Sequence, residues 1–165
     1  MPKDADATTL RALHGKKLNL PHRLSFVSMQ VEDFLRQRGL DPEFDLRLSY
    51  ASTDNNAIFA TLQNRQDAGA AQRSVFEVMP PEIRQHLRIL GSTQSALSLI
   101  VLAHGRLSGP RLTALQAALQ QFPYSEPGLR FLQATHSELV PADSATMAKL
   151  DLYLPRLKMR LEQRP

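Results

Sequence analysis

A run of very small side chains, Ala68-Gly69-Ala70-Ala71, follows the polar turn Asn64-Arg65-Gln66-Asp67. Such residues make poor strands in isolation because they offer little side chain to pack. They suit a central strand crowded by helices on both faces. The segment before the run reads as a helix, with Ile58 and Leu62 on one face and Ser52, Thr53 and Asp54 as candidate N-caps. A helix leading into a crowded strand points to a sheet covered by helices.

The same alternation extends in both directions. Residues 10–15 read as one helical turn closed by Gly15, and residues 17–20 as a short strand stopped by Pro21. Ser25 is positioned to cap a helix reaching about Arg38, with Val27, Val31, Phe34 and Leu35 on one face and Gly39 at its end. Leu46, Leu48 and Tyr50 alternate as a half-buried strand. A short helix is expected over residues 75–79 and a helical turn from Pro81 through His86, before strands over 87–90 and 97–103. The last third reads as helical. Pro110 opens one helix, with Leu112, Leu115, Leu119 and Phe122 as its stripe. Ser125 caps a second, and Asp143 or Ser144 starts a long third that Pro155 should kink. Residues 1–10 read as loose.

The expected fold is α/β, a three-layer sandwich with a mostly parallel sheet of about five strands, followed by C-terminal helices. Residues 1–165 form one domain, with a lobe over 12–96 and a return strand plus helices over 97–165. The chain is 165 residues long, enough for a core of its own. Its apolar content of 42% fits a globular chain, and its net charge of +4 comes from scattered Lys and Arg, so no nucleic-acid partner is expected. No segment approaches the ~18 apolar residues of a membrane span, and residues 1–6 do not read as a secretory signal.

Catalytic constellations are missing from the sequence. It has no Gly-rich phosphate loop, no nucleophile elbow and no Cys. The five His residues lack metal-ligand spacing, and the acidic pairs Glu32-Asp33 and Glu43-Asp45 read as solvated charges. No enzyme, metal or cofactor is expected. The stronger signal is for an anion. Ser25 and Ser28 stand at one helix start after a strand, and Ser52, Thr53, Asn55 and Asn56 at the next. Free N–H groups and the dipole at a helix start favour negative charge, and hydroxyls and amides add donors. In a parallel sheet both starts lie at the carboxyl edge, where ligands of open α/β folds bind. The same residues also serve as ordinary N-caps.

Taken in order, Leu13-His14-Gly15-Lys16-Lys17-Leu18, Pro21, Ser25, Gly39-Leu40-Asp41, Ser52-Thr53-Asp54, Leu62 through Ala70 and Leu87-Arg88-Ile89-Leu90 form a pattern. Over residues 8–155 it resembles the second lobe and C-terminal helices of phosphate, phosphite and phosphonate ABC-transporter substrate-binding proteins. The resemblance implies the type 2 periplasmic-binding fold, a periplasmic location, delivery to transporter membrane subunits and a first lobe lying outside this sequence. The family's hydroxyl-rich turn falls on Leu24-Ser25-Phe26-Val27, and its His on Thr53. Its acidic residues, which meet the amine of aminophosphonates, fall near Gln72, Arg73 and Ser74. These departures speak against an aminophosphonate and leave open an unsubstituted oxyanion, a different ligand or none. The helix starts and this comparison together give Ser25, Ser28, Ser52, Thr53, Asn55, Gln72 and Arg73 as ligand-binding candidates. The leucine stripes of the C-terminal helices are expected to fold onto the lobe or to be buried in a homodimer. Two other readings follow from the same residues: a ligand-free structural or dimerisation module, and the effector-binding domain of a transcription regulator.

Overall fold

The computed structural model describes residues 1–94 and 100–163. Its sheet is built on Lys17–Leu20 (β1), whose last three residues are buried. Arg47–Tyr50 (β2) pairs with it on one side and Ala68–Gly69 (β3) on the other, both parallel, in the order β2-β1-β3. The helices between these strands are Phe26–Arg36 (α1) and Asp54–Leu62 (α2). They cover opposite faces. Leu18 lies opposite Ala68 in register, and both join Leu35 of α1 in the main core. The next pair, Asn19 and Gly69, points the other way, toward α2. Side chains alternate across a sheet, so the two consecutive pairs define its two faces.

Local chemistry explains where these elements begin and end. Ser25 Oγ accepts from Ser28 N, and Thr53 Oγ1 accepts from Asn56 N, so each caps its helix. Helix α1 closes through a left-handed residue at Gly39 (φ 77°), and Leu40 N returns to Leu35 O at 3.1 Å. Leu35 and Leu40 meet in the core, the apolar contact that accompanies this kind of helix end. Gly69 has a different reason. A Cβ there would lie 2.6 Å from Ala57 O and 2.7 Å from Thr61 Oγ1. The small-residue run is thus the imprint of α2 packed on β3, as the sequence implies. Its position differs from expectation: β1 is central, and β3 lies at one side of the sheet, with Gly69 against α2 and Ala68 in the core with Leu35 of α1.

One expected strand does not form as such, and a second lies partly outside the described residues. Residues 87–90 make only an isolated antiparallel bridge, Leu87 to Pro2. The Arg88 guanidinium donates to the carbonyls of Lys3, Ala5 and Ala7, and Arg88 N donates to Met1 O. Residues 1–10, expected to be loose, are therefore pinned by one distant cation, with Met1 and Ala7 buried. The strand expected over 97–103 falls partly on residues 95–99, which lie outside the described residues. Ile100, Val101 and Leu102 belong to no strand and are exposed. The described sheet has three strands rather than about five.

Arg73–Glu77 (α3) and Pro81–Arg84 (α4) follow β3. Beyond them come Pro110–Gln121 (α5), Glu126–Thr135 (α6), Ser144–Asp151 (α7) and Leu154–Glu162 (α8). Ser125 caps α6 through Gly128 N, and Asp143 caps α7 through Thr146 N. Pro155 does not kink one long helix. It stands in the first turn of α8, where its missing N–H costs no hydrogen bond, and the chain breaks after Asp151. Helix α8 does return to the lobe, but on charges rather than leucines. Arg156 pairs with Asp33 at 2.6 Å and Arg160 with Glu32 at 2.5 Å, while Leu157 is half-buried and Leu154 and Leu161 stay exposed. Tyr153 meets Phe26 edge-on at 4.8 Å. Among the described residues, no helix is long and apolar enough to cross a membrane.

Candidate functional site

Three parallel strands carry three loops to one edge of the sheet, each running into a helix start. The first loop is Pro21–Ser25 before α1, the second Ala51–Thr53 before α2, and the third Ala70–Gln72 before α3. Ala51 N donates to Leu20 O at 2.7 Å and Ala70 N to Asn19 O at 2.9 Å, which holds the ends of the strands level. Chain direction reverses about β1: it steps from β1 to β2, then crosses back to β3 on the far side. The loops after β1 and β3 thus lie side by side at the carboxyl ends, where the strand order reverses. That is where ligands of open α/β sheets bind.

The donors at this edge are unequally free. Ser28 is fully buried and donates to Pro21 O at 2.9 Å, so its hydroxyl is a brace within the loop. Ser25 both caps α1 and donates to Ser28 Oγ at 3.0 Å. This leaves the first two N–H groups of α1, on Phe26 and Val27, without an acceptor among the described residues. At α2, Ser52 accepts from Asn56 Nδ2 at 2.8 Å, Asn55 is exposed, and the Thr53 hydroxyl keeps its proton available. At α3, Gln72 N donates to Asp54 Oδ1 at 2.8 Å, so a carboxylate of the chain already occupies that donor. Arg73 is exposed and reaches Ser92 Oγ and Glu77. Seven sequence-predicted residues thus stand at one edge, with Ser28, the Ser25 hydroxyl and the Gln72 N–H engaged internally.

Two residues at this edge escaped the sequence reading. Arg23, in the first loop, donates its guanidinium to the carbonyls of Arg160 and Gln163 in α8. Glu32, read as a solvated charge, is 2% exposed and held by Arg160, with the Tyr50 hydroxyl 3.4 Å away. Burial raises the Tyr50 phenol above its ordinary value, and the Glu32 carboxylate adds to the shift. No local signal distinguishes either residue, because both depend on α8. A concavity of about 510 Å³ lies at the opposite edge, between Lys3, Leu62, Asn64 and His86. It is broad and open, and no helix starts there. Among the described residues, no cluster of His and carboxylates could hold a metal.

A family model described as ABC transporter, phosphonate, periplasmic substrate-binding protein matches residues 1–147. The chain belongs to that family. No match is found among curated proteins. The match takes in all three strands of this phosphonate-binding family member, every helix start at the carboxyl edge, and α5 and α6. It ends inside α7, so the α8 contacts on Arg23 and Glu32 lie outside the matched region.

Proposed function

We propose that this chain is a solute-binding domain of a periplasmic transport receptor or sensor, and that it takes a small oxyanion such as phosphate or a simple phosphonate. One observation carries the reading: in a member of the phosphonate-binding family, three parallel strands bring the starts of α1, α2 and α3 to a single edge. The ligand is held by the N–H groups of Phe26 and Val27 and by the hydroxyls of Ser52 and Thr53, with Ser25 joining once its hydroxyl turns from Ser28. Asn55 and Arg73 contribute from the rim, and Gln72 enters once Asp54 yields its N–H. Ser28 supports the loop from beneath. Binding polarises the ligand without breaking a bond, and the loaded domain delivers it to ABC-transporter membrane subunits on the periplasmic side.

Calorimetric titration with inorganic phosphate, phosphite and methylphosphonate tests this. Saturable heat with at least one of them, weakened when Thr53 is changed to Val, is the expected result. Silence across the panel at millimolar ligand would remove the anion claim.

A second reading rests on Asp54. Its carboxylate on Gln72 N puts a fixed negative charge at the edge and takes one anion donor. A lobe that has replaced its ligand by its own carboxylate would serve as a dimerisation module, with the exposed apolar residues of α5 to α8 as the contact.

A further inference from the structure

We propose that α8 is a latch: it holds Arg23 out of the ligand crevice, and a small oxyanion bound there draws Arg23 in and releases α8. This rests on the anion reading above and names the regulation of that site. Arg23 stands two residues before the N-cap of α1, on the loop that flanks the crevice. It is the nearest cation in sequence to the free N–H groups of Phe26 and Val27. Its guanidinium is turned instead to the carbonyls of Arg160 and Gln163, the latter at 2.6 Å. These carbonyls belong to the C-terminal end of α8, the negative end of its dipole. They are neutral acceptors, and a guanidinium bonds a charged oxyanion more strongly. The end of α8 thus occupies Arg23 with a weaker partner of the same kind as the ligand.

The grip of α8 is built to be reversible. Its contacts fall on α1 and the loop before it: Arg156 on Asp33 and Met29 O, Arg160 on Glu32 and Arg23 O, Tyr153 on Phe26. All but the last are polar, and Arg156 and Asp33 are partly exposed, so water and salt compete for them. Leu154, Met159 and Leu161 remain exposed, so little apolar burial resists departure. The Arg160–Glu32 pair, 11% and 2% exposed, is the contact whose loss costs most, and the oxyanion's stronger hold on Arg23 has to outweigh it.

The experiment uses the full chain with inorganic phosphate as probe. Lys158→Pro breaks α8 at an exposed residue that touches neither Arg23 nor Glu32. Arg156→Glu is the second variant, setting like charges against Asp33. Amide hydrogen exchange over residues 154–162 identifies which variant frees the helix. The freed variant should bind phosphate about tenfold more tightly than the parent chain, a typical coupling between two sites. In the parent, saturating phosphate should speed exchange over 154–162, and Arg23→Gln should abolish that response. Equal affinity in parent and freed variant, or exchange over α8 that phosphate leaves unchanged or slows, overturns the latch and leaves the anion reading standing. If neither variant frees α8, the reversible grip is refuted. If neither chain binds phosphate, the anion reading and the latch built on it both fail.

Discussion

At the scale of single residues, Gly69 shows how directly one side chain reports a packing constraint. The missing Cβ leaves room for Ala57 O, a backbone atom that cannot swing aside. Thr61 Oγ1 is a side-chain atom, but it is buried and already donates to Ala57 O at 3.1 Å. Gly69→Ala must therefore move α2 off β3 or distort the strand. The expected cost is about 1–3 kcal/mol, the usual penalty for overpacking. Gly105 is the comparison, because a Cβ there meets nothing within 4 Å. Gly105→Ala should change stability by less than about 0.5 kcal/mol, as exposed substitutions do. Urea denaturation of both variants decides the point. Equal midpoints would mean that α2 does not press on β3 as described.

At the scale of elements, α1, the end of β2 and α8 meet around one buried carboxylate, and Tyr50 reports on that junction. Its phenol is raised above 10 by burial first and by Glu32 second, with Arg160 and Arg23 pulling the other way. Tyr153, where α8 begins, is also raised, by burial and then by Asp33. A raised value means that the folded state holds the proton more tightly than the unfolded chain. The resulting stabilisation is complete below the unfolded value near 10 and fades as pH climbs through the folded value. Phenolate absorbance should therefore show a late component above pH 10 that shrinks in Tyr50→Phe. Loss of an ordinary component instead, with the late one intact, would place that phenol in water. The same junction marks what the sequence could tell. Helix starts were legible because capping is local: Ser25, Thr53, Ser125 and Asp143 each reach an N–H three residues on. The candidate edge was legible for the same reason, since Ser25 and Thr53 each follow a strand. The buried face of α1 was only partly so. Of the expected Val27, Val31, Phe34 and Leu35, Leu35 is buried and Val31 and Phe34 pack against the core, but Ser28, Met29 and Glu32 are buried as well and were not anticipated. Glu32 is inside because Arg160 comes to it from 128 positions away, and no periodicity encodes such a partner. Residues 87–90 failed similarly. Their apolar pattern suits a strand, but Arg88 is engaged by carbonyls of residues 3 to 7 and leaves only one bridge.

At the scale of the whole molecule, burial is uneven, and that bears on the choice between the two functional readings. The main core is drawn from Met1 to Ala68, with Leu90 packed against it, while among the described residues beyond 100 only Gly128 is buried. Helices α5 and α6 are joined by a tight corner in which Phe122 and Phe131 meet at 6.0 Å, yet Phe131 remains 55% exposed. Leu129, Leu152, Leu154 and Leu161 are exposed with it. Apolar surface of this extent is uncommon on monomers. A second copy of the chain is the one partner present at equal concentration in any pure sample, and it can cover such surface on both protomers at once. We therefore predict concentration-dependent self-association through α5 to α8. Sedimentation velocity over a dilution series should show a heavier species that dissociates on dilution. Leu152→Glu, at a position 79% exposed, should shift the balance toward monomer without lowering the unfolding midpoint, because that side chain touches little of its own fold. The outcome also separates the two readings. A chain that dimerises and still binds phosphate is a receptor domain with a second interface. One that dimerises and stays silent to every anion keeps the fold of its family with Asp54 in place of a ligand. A chain that stays monomeric at high concentration, with these leucines in water, removes the dimer from both.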